Sequence, residues 1–394
     1  HDVVTGRDCK QKQGDMPALM LYQAGESLRL GKKYKHSRMS VGGEFLFLAD
    51  TYRGSKLKPN ISFEQQLEQT AMRLFTNDQG ERVAKPGMKA EQKPYVLLGD
   101  SFAMGSGADY DVSFGGQLAT RYGIPIANLG VGTYSLLQVV RHFEVMVPLY
   151  KPKVAVFVYN HGMVNRCFKT NAFMKGLGRR PVFVRRRKDQ KIILHENRLP
   201  LPPWVIERIH RLRGILIGNP NFDFSYIANY AQLALLMKGI KKVRSLLHKL
   251  CDPRFKYIDD HEHYDNSLRE YVLRTCLNQL ADVAEKNGCT VLVYHMFEYR
   301  NYEKLRPAMA FDDQIIAELA EQRSGLEFYD DKAEKQRFEQ YMAEHGLSGD
   351  YYEAFKLPDD IHHAPHGNDL LAESIQAALD EKGLLGHQRT GEPA

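Results

Sequence analysis

Several apolar runs in this chain are short, unbroken and closed by a polar turn residue, and they alternate with stretches of helical periodicity. Tyr95-Val96-Leu97-Leu98 stops at Gly99-Asp100-Ser101, and Val154-Ala155-Val156-Phe157-Val158-Tyr159 stops at Asn160. Runs without polar alternation keep both strand faces from water, which is the pattern of parallel strands buried between helices. Thr290-Val291-Leu292-Val293-Tyr294 follows an amphipathic segment from Ser267 to Lys286, and Leu326-Glu327-Phe328-Tyr329 follows another from Asp312 to Ala320. A further short strand is expected over Ile126 to Leu129. The alternation predicts an α/β fold: a doubly wound, mainly parallel sheet flanked by helices in three layers. Functional groups of such sheets lie just beyond the carboxyl ends of the strands. Ser101 and Asn160 occupy such ends.

Outside this core two regions differ in texture. Residues 1–90 mix short apolar pieces such as Phe45 to Leu48 with Gly-, Lys- and Asn-rich punctuation, and a helix is expected from Phe63 to Leu74. They are read as an N-terminal extension with short strands, preceding a main domain over 91–385 and a flexible tail over 386–394. Within the main domain, a Pro- and Arg-rich loop (Pro181, Pro200, Pro202, Pro203) and helical stretches such as Tyr230 to Leu250 form an insertion at about 166–265. This insertion is a candidate lid or substrate wall.

The chain has 394 residues, 43% hydrophobic and 26% charged, and no run approaches the roughly 20 apolar residues that span a bilayer. It begins at His1 rather than Met, so it is read as trimmed, and a removed signal peptide or membrane anchor would leave no trace in it. The net charge of +6 is concentrated in Arg179, Arg180, Arg185, Arg186, Arg187 and Lys188. That run is either a solvated face or a patch for an anionic glycan, lipid headgroup or membrane surface. No nucleic-acid-binding module accompanies it. Cys9, Cys167, Cys251, Cys276 and Cys289 lack metal-ligand spacing, so no metal or other cofactor is expected; buried free thiols fit best, with disulfides open in an oxidising compartment.

Four pieces of sequence carry chemistry. In Gly99-Asp100-Ser101-Phe102-Ala103-Met104-Gly105, a turn after a strand presents a serine hydroxyl, a weak nucleophile until a base takes its proton; alone the tripeptide also reads as a helix cap. Asn128-Leu129-Gly130-Val131-Gly132-Thr133 offers a glycine-bearing turn, and Asn160 a side-chain amide; both are residue types that serve turns and strand ends as well as oxyanions. Asp359-Asp360-Ile361-His362 precedes the helical stretch Leu370 to Leu379, with the carboxylate three residues before the imidazole it would orient. The same His- and Asp-rich turn also reads as a helix cap or a metal site.

In order along the chain these pieces resemble the four sequence blocks of the SGNH (GDSL-type) hydrolase family. The likeness covers about residues 95–165 and 285–380 and includes Gly367 and the Leu370 to Ile375 run behind His362. It implies the family's flavodoxin-like sandwich, with Ser101 as nucleophile, His362 as general base and then acid, and Asp359 orienting it. It also implies oxyanion donors from the Ser101 and Gly132 backbone and the Asn160 amide. Three departures stand out: Thr133 occupies the usual place of the second-block glycine, Val158 that of the glycine before Asn160, and His161 that of the aspartate after it. His363 and His366 are rival bases, but only His362 keeps the spacing from Asp359 and the register with Gly367.

The implied chemistry is acyl transfer through an acyl-enzyme. The expected substrate is an acylated glycan or polysaccharide of a cell envelope, with O-acetyl as the expected group, and the expected location is periplasmic or extracytoplasmic. Alternatives are an O-acyltransferase on the same substrates, a lipid or lysophospholipid esterase with Tyr230 to Met237 as acyl wall, and an inactive SGNH-like binding module.

Overall fold

The computed structural model describes residues 46–50, 52–66, 71–168, 181–186, 188–196, 255–257, 265–296, 302–347, 355–357 and 362–386. The described residues open with a hairpin of β1 (Phe47–Asp50) and β2 (Gly54–Leu57), its turn tied by Arg53 Nη2 donating to Asp50 Oδ2 at 2.8 Å. Then come β3 (Ser62–Gln66), β4 (Ala71–Thr76), β5 (Arg82–Val83) and β6 (Tyr95–Leu98), followed by the four-residue helix α1 (Ser101–Met104) and by α2 (Phe114–Thr120). Strand β7 (Ile126–Asn128) leads to α3 (Leu136–Tyr150), β8 (Val154–Tyr159) and the short α4 (Gly162–Arg166). Strands β9 (Val182–Arg186), β10 (Ile192–His195) and β11 (Phe255–Tyr257) form a separate antiparallel sheet with β9 in the middle. The chain closes with α5 (Asn266–Lys286), β12 (Thr290–His295), α6 (Tyr302–Gln322), β13 (Leu326–Tyr329), α7 (Asp331–Glu344) and α8 (Pro365–Glu381).

The central sheet has eight strands in the order β13-β12-β8-β6-β7-β5-β4-β3, the first five mutually parallel. This is the doubly wound, mainly parallel α/β arrangement that the apolar runs predict. Side-chain direction alternates along each strand. Val96, Leu98, Ala155, Phe157 and Val293 therefore enter one core with α3, α5 and α6, while Leu97, Val156, Val158, Leu292 and Tyr294 enter the other with α2 and α8. Covering both faces requires strands apolar throughout, and β6 and β8 are buried at every position.

The helix expected from Phe63 to Leu74 is absent: that stretch holds β3 and β4, paired antiparallel. Its burial alternates with period two, Phe63, Met72 and Leu74 inward and Ser62, Glu64 and Arg73 outward. The local Glu and Gln content favours helix, but pairing along the sheet edge overrides that preference. Strands β3, β4 and β5 extend the central sheet beyond β7, so all three share the sheet whose β6 leads into Ser101. The helical stretch expected from Tyr230 to Leu250 lies outside the described residues. Among the described residues, no helix is long and apolar enough to cross a membrane.

Candidate active site

Chain connection first places β7 on one side of β6 and then β8 on the other, which makes the gap between β6 and β8 the topological switch point of the parallel sheet. Diverging connections leave a crevice there. Ser101 and Asn160 flank it from the carboxyl ends of β6 and β8.

Asp100 builds the turn that presents Ser101. Its carboxylate caps α1 by accepting from Phe102 N at 3.0 Å, and it also accepts from Asn160 Nδ2 at 2.8 Å and Arg166 Nη1 at 2.6 Å. Burial pushes this carboxyl's pKa up, but the Arg166 guanidinium and the donated hydrogen bonds outweigh it and hold the pKa below the usual carboxylate value. An anion thus joins the Ser101 turn to Asn160, and Arg166 Nη1 extends the tie to Tyr134 O at 2.9 Å.

The rear of the turn is held as closely. Gly105 ends α1 with φ of 73°, and Arg82, fully buried on β5, donates from Nη1 to Met104 O at 2.5 Å and Gly105 O at 2.7 Å, and from Nη2 to Ala108 O at 2.5 Å. Burial pulls the Arg82 pKa down to about 10, so it stays charged at neutral pH. From β7, Asn128 Nδ2 donates to Ala103 O at 2.9 Å, and Asn128 Oδ1 accepts from Gly130 N at 3.0 Å. A Cβ on Gly130 would stand 2.3 Å from Met104 N, so only glycine lets this turn lie against α1. Val131 N donates to Gly99 O at 3.2 Å, which brings Gly132 to the end of β6, buried. Thr133, in the place where glycine is usual, adopts a left-handed φ of 61°.

His362 arrives from the far end of the chain. Residues 355–357 and 362–364 pair as short stems, with Leu357 N donating to His362 O and Ala364 N to Phe355 O, both at 2.8 Å. The half-buried His362 ring packs 5.2 Å from the ring of Phe102, the neighbour of Ser101. Asp359 belongs to residues 358–361 between those stems and lies outside the described residues. The rival histidines are placed differently. His363 is buried against Phe102, with its pKa lowered to about 3 by burial and then by His362. His366 stacks on Tyr341 and contacts Phe355.

Sequence reasoning missed a second polar cluster on the opposite face of β8. His161 Nδ1 lies 2.9 Å from Asp312 Oδ2 and 2.6 Å from Arg269 Nη2, while Arg269 Nε donates to Asp312 Oδ1 at 2.5 Å and Tyr159 O–H to Asp312 Oδ2 at 2.7 Å. Burial raises the Asp312 pKa, but Arg269 and His161 bring it down to about 2. Arg269 Nη1 also donates to Asn165 Oδ1 at 3.1 Å, so the cluster fixes α4 just after Asn160. A polar residue in the place usually held by aspartate was the available signal; its partners on α5 and α6 were not legible. Among the described residues, no group of three His, Cys, Asp or Glu side chains is arranged to hold a metal ion.

Two buried histidines make stability pH-dependent. Arg53 Nη1 sits 2.9 Å from His142 Nδ1 and can only donate, so this ring is a neutral acceptor, and burial followed by the Arg53 charge lowers its pKa to about 3. For His142 and His363 the unfolded chain takes up a proton below about 6.5 while the folded chain does so only near 3. Stability present at neutral pH is therefore lost as pH falls through that window, by about 2 kcal/mol per ring at pH 5. The melting temperature should fall steadily from pH 7.5 to 5, and His142→Gln should flatten the slope; an unchanged melting temperature over this range would contradict the assignment.

No protein-family model matches the chain, and no curated protein does. Among solved structures it is similar to TesA, with a TM-score of 0.37 and 12% identity over 74% of this chain and 99% of that one. It is also similar to LAE5, an alpha/beta hydrolase enzyme from the metagenome of Lake Arreo, Spain, with a TM-score of 0.37 and 12% identity over 75% and 98%. A catalytic mutant of Axe2, an acetylxylan esterase from Geobacillus stearothermophilus, gives 0.35 and 14% over 75% and 97%.

Proposed function

We propose that the chain is a serine esterase of the SGNH kind, with Ser101 as nucleophile and His362 as base. The observation that carries this reading is the packing of His362 against Phe102 at the switch point, where Ser101 begins a capped helix and Asn160 stands across the crevice. Ser101 attacks an ester carbonyl, His362 takes its proton and returns it to the leaving alcohol, and water resolves the acyl-enzyme. The Asn160 amide carries two N–H groups; one goes to Asp100, and the second serves the oxyanion with the Ser101 and Gly132 backbone N–H groups. One such donor contributes roughly 3 to 4 kcal/mol to the transition state. Asp359 is assigned to orient His362.

A fluorophosphonate probe tests the nucleophile without knowledge of the substrate. Labelling should map to Ser101 alone and vanish in Ser101→Ala; no labelling, or labelling elsewhere, would refute the reading.

For the substrate we propose an acylated, anionic glycan of a cell envelope, met outside the cytoplasm. What supports a charged polymer is the path of the chain beside the site: Phe183 N at the start of β9 donates to Cys167 O just after α4, and β9 continues into Arg185 and Arg186, both half-buried. Arg186 pairs with Asp189 through Nη2 at 2.5 Å, which tempers its charge. Arg179, Arg180 and Arg187 lie outside the described residues. Replacing Arg185, Arg186 and Arg187 with Ser should weaken retention on an immobilised anionic polysaccharide and make the retention that remains less sensitive to salt; equal retention would return the run to an ordinary solvated face.

A further inference from the structure

Arg166, the last residue of α4, sits where the three stretches that would supply the oxyanion donors meet. Its Nη1 donates to Asp100 Oδ2 at 2.6 Å and to Tyr134 O at 2.9 Å. Asp100 precedes Ser101, and the same Oδ2 accepts from Asn160 Nδ2 at 2.8 Å. Tyr134 closes the turn that carries Gly132, its N–H donating to Val131 O at 3.2 Å across Gly132 and Thr133. One guanidinium nitrogen thus bonds the Ser101 turn and the Gly132 turn directly, and it reaches Asn160 through a shared carboxylate oxygen.

The Gly132 turn needs such a hold. Thr133 is β-branched and has a left-handed φ of 61°, a conformation such residues rarely keep unless bonds from outside the turn impose it. Val131 N, bonded to Gly99 O at 3.2 Å, fixes the start of the turn, and Arg166 fixes its end. The guanidinium is itself braced. Asn165, the residue before it, accepts from Arg269 Nη1 at 3.1 Å, and Arg269 is paired with the buried Asp312. The Asp100 side chain is 1% exposed and that of Arg166 27%, so water and salt weaken this pair far less than a surface one.

We propose that Arg166 is a positioning residue for acyl transfer at Ser101: it sets the Ser101 and Gly132 N–H groups and the Asn160 amide at the mutual spacing a tetrahedral intermediate requires. The role rests on the serine-esterase reading given above. Arg166 acts through Asp100 and Tyr134, not on the reacting atoms. Donors displaced by about 1 Å lose roughly a hundredfold in rate, and the loss falls on kcat because the oxyanion exists only after attack. Charge matters as well as reach. Arg166 from α4 and His363 from the 362–364 stem are the titratable groups that face Asp100, and burial keeps His363 neutral. Without the guanidinium, burial raises the Asp100 carboxyl, and a protonated oxygen no longer accepts from Asn160 as the carboxylate does.

The test measures p-nitrophenyl acetate hydrolysis by wild type, Arg166→Met and Arg166→Lys from about pH 5 to 9, with melting temperatures taken on the same samples. Methionine fills much of the volume but donates nothing. Arg166→Met should lose about a hundredfold in kcat with KM within about threefold of wild type, and its activity should begin to fall at a higher pH than the wild type's as the solution is acidified. Lysine keeps the charge on a differently shaped head, so it neutralises Asp100 without holding both acceptors in the same geometry. Arg166→Lys should therefore recover about tenfold of the loss and return the acid limb toward the wild-type position. The rate of fluorophosphonate labelling of Ser101 should rank the three proteins in the same order. Arg166→Met with kcat per folded molecule within about threefold of wild type, or an equal loss in both variants, would overturn the proposal. If Arg166→Met does not fold, Arg166→Lys decides alone: about a tenfold lower kcat at wild-type KM supports the role, and wild-type kcat overturns it. A wild type that neither turns over ester nor takes the label would remove the serine reading and this role with it, whereas an active wild type matched by Arg166→Met removes this role alone.

Discussion

Turnover of p-nitrophenyl acetate should fall at least about a thousandfold in Ser101→Ala and in His362→Ala, with the fold and melting temperature of both variants close to wild type. A nucleophile and its base act as one unit, so either deletion removes most of what both together contribute, and the double variant should be little worse than each single one. Both side chains are half-buried at the crevice, so their loss leaves little void. His363→Gln supplies the contrast. That ring is buried and held neutral beside Phe102, and replacing it should reduce stability while catalysis per folded molecule stays within about tenfold of wild type. A His362→Ala enzyme that retains wild-type turnover would remove the base from the proposed mechanism.

Arg82→Met should destabilise the protein by about 3 to 5 kcal/mol, read as a lower urea midpoint at unchanged slope. Methionine fills much of the volume but donates nothing, and the carbonyls of Met104, Gly105 and Ala108 lose their partner in a buried setting. Part of the loss is offset because a guanidinium no longer has to be kept dry, which is why the figure stays below the sum of three unsatisfied groups. Fluorophosphonate labelling of Ser101 should slow as well, since those carbonyls end the turn that presents it. A midpoint shift worth less than about 1 kcal/mol would mean that the three carbonyls find other donors.

The strands of the parallel sheet were legible because a strand covered on both faces must be apolar along its length, as β6 and β8 are throughout and β12 is from Val291 to Tyr294; local composition alone marks them. The hairpin of β3 and β4 was not legible. Glu64 faces outward on an edge strand, and the Glu and Gln content of the stretch gives a helical preference as the main local signal; pairing supplies the rest. At the site, the residues proposed to do the chemistry were chosen from their order along the chain, and the structure places His362 against Phe102, the neighbour of Ser101, and ties Asn160 to Asp100. The residues that hold them were not. Arg82 on β5, and His161 with Asp312 and Arg269, act through partners tens to hundreds of residues away, and a polar contact between distant positions leaves no period or spacing to read.

Under the proposed mechanism, the paired stems of residues 355–357 and 362–364 also set when the molecule can react. The sheet strands up to β8, with Ser101 at the switch point, leave the ribosome some two hundred residues before His362 does. A growing chain therefore carries a serine with no proton acceptor beside it. Under the proposed mechanism, acyl groups met during synthesis stay untouched, and reactivity begins only when α8 docks.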